Sequence, residues 1–201
     1  MRVSKIILDS LGISPIAMVV TNPHHPDNPI EVANPAFCSL TGYSETEIVG
    51  RNCRFLAGTR TDERARQELR VAVIDKRPLL IDILNYRKNG SAFRNGVMIA
   101  PQFDEEGALG FFIGSQVDLG DADPALAFTA RQSRAMALVA TLPPRQRQVL
   151  EGIATGLLNK QIAYRLGIAE KTVKMHRALM LERLGGITTA EAIRLAVEAG
   201  L

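Results

Sequence analysis

Short apolar runs closed off by turn-forming residues dominate the first 120 positions, and apolar residues recurring every three or four positions dominate the last 60. The runs Ile16–Val20 and Ile30–Ala33 read as strands, separated by the Pro-, Asn- and His-rich loop Asn22–Pro29. Ahead of them, residues 1–12 read as a short helix with Val3, Ile6, Ile7 and Leu11 on one side. Asn34-Pro35 opens a helix in which Phe37, Leu40 and Tyr43 recur at helical spacing. Ser44, three residues before Glu47, is a capping-box pattern that starts another short helix ending at Gly50. Asp62–Lys76 is an amphipathic helix with Ala65, Leu69, Ala72 and Val73 inward and Arg66 and Arg70 near its inner edge. Three strands follow, Leu79–Arg87, Ala92–Pro101 and Leu109–Leu119, with turns at Lys88-Asn89-Gly90 and Asp104-Glu105-Glu106-Gly107.

After the polar stretch Asp121–Pro124 the period changes to that of helices. An Ala-rich connector, Ala125–Thr141, carries Leu126, Met136 and Val139 and is stopped by Pro143-Pro144. Four further helices are expected: Pro144–Gly156, Asn159–Leu166 closed by Gly167, one opening at Ala169-Glu170-Lys171-Thr172 and running to Leu184, and Thr188–Ala199. Two short helices meeting at a tight glycine turn are a helix-turn-helix arrangement. On the helix after that turn, Val173, Met180 and Leu184 form an apolar stripe, and Lys171, Lys174, Met175 and Ala178 form a second, basic one. The first suits docking to a scaffold, and the second suits a major groove. The organisation is thus an N-terminal cap (1–14), a strand-rich unit (15–120), a connector (121–141) and an all-helical unit (142–201).

Charge sharpens this division. Residues 1–120 hold 13 Lys+Arg against 14 Asp+Glu, a balance of −1, and residues 142–201 hold 9 against 5, a balance of +4. The basic balance in the helical unit points to nucleic acid. With 46% hydrophobic and 22% charged residues the chain is globular, and no apolar run approaches the ~20 residues that cross a bilayer. The N-terminus shows no signal-peptide pattern, and Cys38 and Cys53 form no disulfide framework, so a reducing, cytoplasmic setting is expected. His24, His25 and His176 have no metal-ligand spacing, so no metal is expected.

Strand parity places candidate chemistry. Ile83 and Asn85 share a face, as do Asn95, Val97 and Ile99, and as do Phe112, Gly114 and Gln116. Asn85, Asn95 and Gln116 are amides on otherwise apolar faces, where they need either a polar ligand or one another. In the run Gly50-Arg51-Asn52-Cys53-Arg54-Phe55-Leu56-Ala57, a thiol stands between an amide and a guanidinium. That juxtaposition suits a thiol beside a bound ring with an arginine on the ligand's anionic tail; a small buried cysteine beside a surface arginine is the alternative.

The Gly50–Ala57 run resembles the motif of LOV domains, the flavin-binding blue-light sensors of the PAS superfamily, and departs from it at Ala57, where the family has Gln. The resemblance extends from about Ile16 to Leu119. It implies an α+β sensor with a five-stranded antiparallel sheet and short helices, binding FMN, with FAD the alternative. It assigns Cys53 as the residue whose sulfur adds to flavin C4a in light, and Gln116 as the amide that relays the change. It also assigns Arg54 and Arg70 to the phosphate, Asn85 and Asn95 to the pyrimidine edge, Thr21 and Asn52 as polar contacts, and Phe112 as an apolar wall. Residues 142–201 resemble the LuxR/NarL-type DNA-binding domain through Leu142-Pro143-Pro144-Arg145, Asn159-Lys160-Gln161-Ile162-Ala163 and Lys171-Thr172-Val173-Lys174-Met175-His176. By that resemblance Lys171, Thr172, Lys174 and Met175 meet bases or groove edges, and Lys160, His176 and Arg177 meet phosphates. The expected partners are double-stranded DNA and a second copy through 188–199, with a monomer in the dark. The combined expectation is a non-enzymatic, light-regulated transcription factor whose pocket holds Cys53, amides and arginines. A PAS sensor of another ligand and a flavoenzyme are the alternatives.

Overall fold

The structure is a computed structural model and describes residues 10–120 and 124–201. Most of the helix expected over 1–12, the polar stretch from Asp121 and the side chain of Leu126 fall outside the described residues; residues 10–13 are helical. Five strands, β1 (Ala17–Thr21), β2 (Ile30–Ala33), β3 (Leu79–Tyr86), β4 (Ala92–Phe103) and β5 (Leu109–Asp118), form one antiparallel sheet in the order β2-β1-β5-β4-β3. Between β2 and β3 the chain crosses to the far edge through α1 (Pro35–Thr41), α2 (Glu45–Ile48), a 3-10 turn (Cys53–Leu56) and α3 (Glu63–Ile74).

Asn34 fixes the entry to this crossover. Its Oδ1 accepts from the amides of Phe37 and Met18, each at 2.9 Å, and its Nδ2 donates to the carbonyls of Ile16 at 2.8 Å and Leu11 at 3.1 Å. One buried side chain therefore caps α1, joins it to β1 and closes the helical turn before β1. The expected capping box forms, with the Ser44 amide donating to Glu47 at 3.0 Å. Tyr43 is not in α1, as its spacing suggested. The helix ends at Gly42 in a left-handed conformation, and Tyr43 packs edge-on against Phe55 at 5.0 Å. β4 continues two residues past Pro101, because β3 pairs only as far as Ile99, so Pro101 needs no amide on that side.

The helical unit comprises α4 (Pro124–Ala140), α5 (Pro144–Ala154), α6 (Asn159–Leu166), α7 (Glu170–Arg183) and α8 (Thr189–Glu198). Val173, Met180 and Leu184 of the expected apolar stripe are buried, and Gly167 closes α6 in a left-handed conformation. This unit packs on the sheet. Met18, Val20, Met98, Ala100 and Ile113 share one hydrophobic core with Val139, Val149, Leu150, Ile153, Ile193 and Ala196. Gly156 permits a close approach: its φ is +83°, a Cβ there would lie 2.4 Å from the carbonyl oxygen of Pro101, and its own carbonyl accepts from the amide of Phe103 at 3.2 Å.

Asn34→Ala is expected to lower stability by about 3 kcal/mol, since it removes a cap and strands buried backbone groups. Urea unfolding followed by circular dichroism measures it; a loss within 0.5 kcal/mol, the usual scatter for neutral surface changes, would contradict the role given to Asn34.

Candidate ligand cavity and nucleic-acid interface

The sheet face turned away from the helical unit forms, with α3 and the turn at Cys53, a cavity of about 410 Å³. That is within the usual range for small-molecule sites. Thr21, Asn52, Cys53, Arg54, Arg70, Asn85, Asn95, Phe112 and Gln116 all line it, as does Ala57. Gly114 lines it too, and a Cβ there would crowd Val19 Cγ2 at 3.0 Å.

The cavity mouth differs from the expectation of a thiol, amides and arginines alone. His25, Asp27 and Asn28, from the β1–β2 loop, and Arg66 also line it. Asp27 and Asn28 both have positive φ, 73° and 47°, which Asp and Asn tolerate better than most residues. Asn52 holds the loop by donating to the carbonyls of Asp27 and Asn28 while its Oδ1 accepts from the amide of Arg54 at 3.0 Å. Arg54 pairs with the Asp27 carboxylate, Arg66 with Glu63 at 2.8 Å, and Arg70 donates to Gln67 at 2.8 Å. The Pro, Asn and His content of Asn22–Pro29 marked it as a loop, but nothing local pointed to its left-handed pair or to Arg54.

Cys53 opens the 3-10 turn and packs on the cluster of Ala17, Val19, Phe37 and Leu56. Burial pushes its thiol up to about 12, so the group holds its proton at neutral pH. Two of the three amides pair with each other. Asn95 Nδ2 donates to Asn85 Oδ1 at 2.9 Å, yet Asn95 Oδ1 and Gln116 Oε1 are buried without a partner, and so is Asn28 Oδ1 at the mouth. Orphaned acceptors of this kind cost about 1–3 kcal/mol each, and a ligand carrying hydrogen-bond donors relieves them. A flavin's ring edge, one N–H between two carbonyls, fits side-chain amides that can offer either oxygen or NH₂. The charged mouth fits an anionic tail.

On the helical unit, Lys171, Lys174 and Met175 are exposed on α7, with Thr172 and His176 half-buried beside them. Lys174 pairs with Glu170 at 2.9 Å. Arg177 turns inward instead, donating to Thr189 Oγ1 at 2.7 Å and Asn159 Oδ1 at 3.4 Å, and so ties α7 to the starts of α6 and α8. Lys160, exposed on α6, lies 3.7 Å from Glu105 of the β4–β5 turn, and Gln161 Nε2 donates to the carbonyl of Asp104 at 2.9 Å. The turn expected only to join two strands thus also touches the helix-turn-helix.

Residues 15–121 match the family model described as PAS domain, and residues 140–196 match that of bacterial regulatory proteins, luxR family. The chain belongs to the PAS domain family, and a LuxR-type helix-turn-helix module follows its PAS domain. Within that family its solved neighbours are LOV domains. The light-state structure of Aureochrome1 LOV is 33% identical with a TM-score of 0.54, covering 64% of this chain and 98% of that one. A light-oxygen-voltage domain studied with a flavin analogue is 37% identical with a TM-score of 0.57, covering 64% and 94%. The chain is also 42% identical over 118 residues to blue-light-activated histidine kinase 1 of Erythrobacter litoralis, 59% of this chain and 33% of that protein. It spans a third or less of the length of the curated relatives it matches.

Because thiolate is the nucleophile, Cys53 in the ligand-free protein is expected to react with iodoacetamide at pH 8 at least about tenfold more slowly than a free cysteine. Raising pH toward 12 should accelerate it. Peptide mass mapping of the labelled protein checks this, and labelling of Cys53 at the free-thiol rate would contradict the raised thiol.

Proposed function

We propose that this chain is a blue-light-regulated DNA-binding protein that holds a flavin, FMN in the first instance, in the cavity beside Cys53. The observation that carries the reading is one sheet with two occupied faces: the thiol and the orphaned amides on one, the DNA-binding module on the other. The names of the relatives, light-activated or flavin-bearing, support it. When bound, the flavin supplies blue-light absorption and an electrophilic ring carbon. Cys53 brings a thiol with its proton still attached, so sulfur and proton can be delivered together. Gln116 can offer either its oxygen or its NH₂ to the ring, and its unpartnered Oε1 leaves it free to exchange one for the other. Asn85 and Asn95 orient the ring edge, Thr21, Asn52 and Phe112 fix its position, and Arg54 and Arg70 meet the phosphate once it displaces Asp27 and Gln67.

In the dark the output is held back at two points. α8, the proposed dimer face over 188–199, lies in the core shared with the sheet, which keeps the chain monomeric. Lys160 is engaged by Glu105 beside α6. Released, the module pairs with a second copy and presents Lys171, Thr172, Lys174 and Met175 to the groove, with Lys160 and His176 at phosphates. Arg177 acts by holding α7 in place for them. A complete on–off swing needs ~5.5 kcal/mol of differential stabilisation, and one rearranged hydrogen bond gives about 1–3 kcal/mol, so displaced packing across the sheet supplies the rest.

A gel shift against a pool of random-site duplexes, run in darkness and under blue light with FMN-loaded protein, should show retention that rises in light. Cys53→Ala should stay yellow, lose reversible bleaching and lose the light-dependent rise. Reversible bleaching of Cys53→Ala would overturn the assigned chemistry, and a colourless wild-type protein would overturn the flavin.

A further inference from the structure

Among the described residues, Arg194 is the one buried charged side chain, 4% exposed, and it lies in the interface between α8 and the sheet. Its Nη1 donates to Ser115 Oγ at 2.8 Å and to the carbonyl of Gly96 at 3.2 Å, and its Nε donates to Glu198 at 2.7 Å. The socket exists because residue 96 has no side chain. A Cβ there would meet Leu119 at 2.9 Å and the guanidinium groups of Arg131 and Arg194 at 3.4 and 3.5 Å. Ser115 precedes Gln116 on β5, and neighbouring side chains on a strand point to opposite faces. Ser115, fully buried, therefore reports to α8 from the same stretch of backbone on which Gln116 reports from the cavity.

We propose that Arg194 is the positioning residue that converts a small shift of β5 into release of the DNA-binding module, with Ser115 as its receiver on the sheet. Around it the interface is apolar, formed by residues such as Met98, Ile113, Ile193 and Ala196. Methyl contacts tolerate a sliding of a few tenths of an ångström. A buried guanidinium does not, because hydrogen bonds weaken steeply with distance and angle, and a buried cation short of an acceptor is strongly disfavoured. Undocking rehydrates Arg194 and Glu198, so the same pair that gives register to the closed state favours the open one once its geometry is spoiled.

The inference rests on the light-regulated reading above, and its test separates the two. DNA affinity of the full, FMN-loaded chain is measured in darkness and light, together with the visible spectrum and its recovery after illumination. Ser115→Ala, on the sensor side, removes one of the buried cation's three acceptors and should raise dark affinity about tenfold, the effect of one charge-assisted hydrogen bond, with lit affinity and recovery kinetics unchanged. Replacing both members of the pair, Arg194→Met together with Glu198→Leu, puts apolar chains of similar reach in place of two charges, a change that buried ion pairs tolerate. Dark affinity should stay within about twofold of wild type while the lit-to-dark ratio falls about tenfold or more. A wild-type ratio in the Arg194→Met, Glu198→Leu variant, or unchanged dark affinity in Ser115→Ala, would overturn the proposal while leaving the photochemistry standing. A wild-type protein that bleaches but shows no lit-to-dark difference would overturn the broader reading instead.

Discussion

The structure depends on one central strand, β5, buried on both of its faces. Antiparallel sheets commonly pack one side and wet the other, and their strands alternate accordingly. Here β5 is buried at every position from Gly110 to Gln116. Phe112, Gly114 and Gln116 line the cavity, while Ile113 shares the core of the helical unit and Ser115 meets Arg194. Any displacement that one set of side chains imposes on this strand is felt by the other set, because both hang from the same backbone. The architecture needs no long relay. The two sites are back to back.

The two faces are held by different physics. The cavity face is polar at its centre and incompletely satisfied, with Asn95 and Gln116 each missing a partner. The docking face is apolar with a few directional contacts at its edges: Gly156 against Pro101 and Phe103, Gln161 on the carbonyl of Asp104, and the Arg194 socket. Apolar burial supplies strength without direction, and the polar contacts supply register. Exposed pairs such as Lys160–Glu105 are each worth at most about 1 kcal/mol and are screened by salt, so they bias the closed arrangement without fixing it.

Most of the fold was legible because its signals are local. The Ser44–Glu47 box, the Asn159–Leu166 helix with its glycine stop, and the amphipathic Asp62–Lys76 segment each carry their instructions within one or two turns. Strand parity set the facing within each strand, and the resemblance to LOV domains assigned Asn85, Asn95, Phe112 and Gln116 to one ligand site; all four line the cavity. What was not legible is long-range. Asp27 meets Arg54 across 27 positions, Arg177 turns inward to Thr189 although its place on a basic helix suggested a phosphate, and Arg194 meets Ser115 across 79 positions. Tyr43 failed for the opposite reason: the glycine before it ended the helix that its spacing continued.

On the proposed mechanism, α8 leaves the sheet when the cavity side of β5 changes. Hydrogen exchange of the backbone amides of Thr189–Glu198, in FMN-loaded protein without DNA, tests it most directly, because a surface-exposed single helix exchanges far faster than one docked in a core. These amides should be protected in darkness, lose protection under blue light, and regain it as the visible spectrum recovers. If those amides stay equally protected in light while DNA affinity still rises, the sheet is not where the signal crosses.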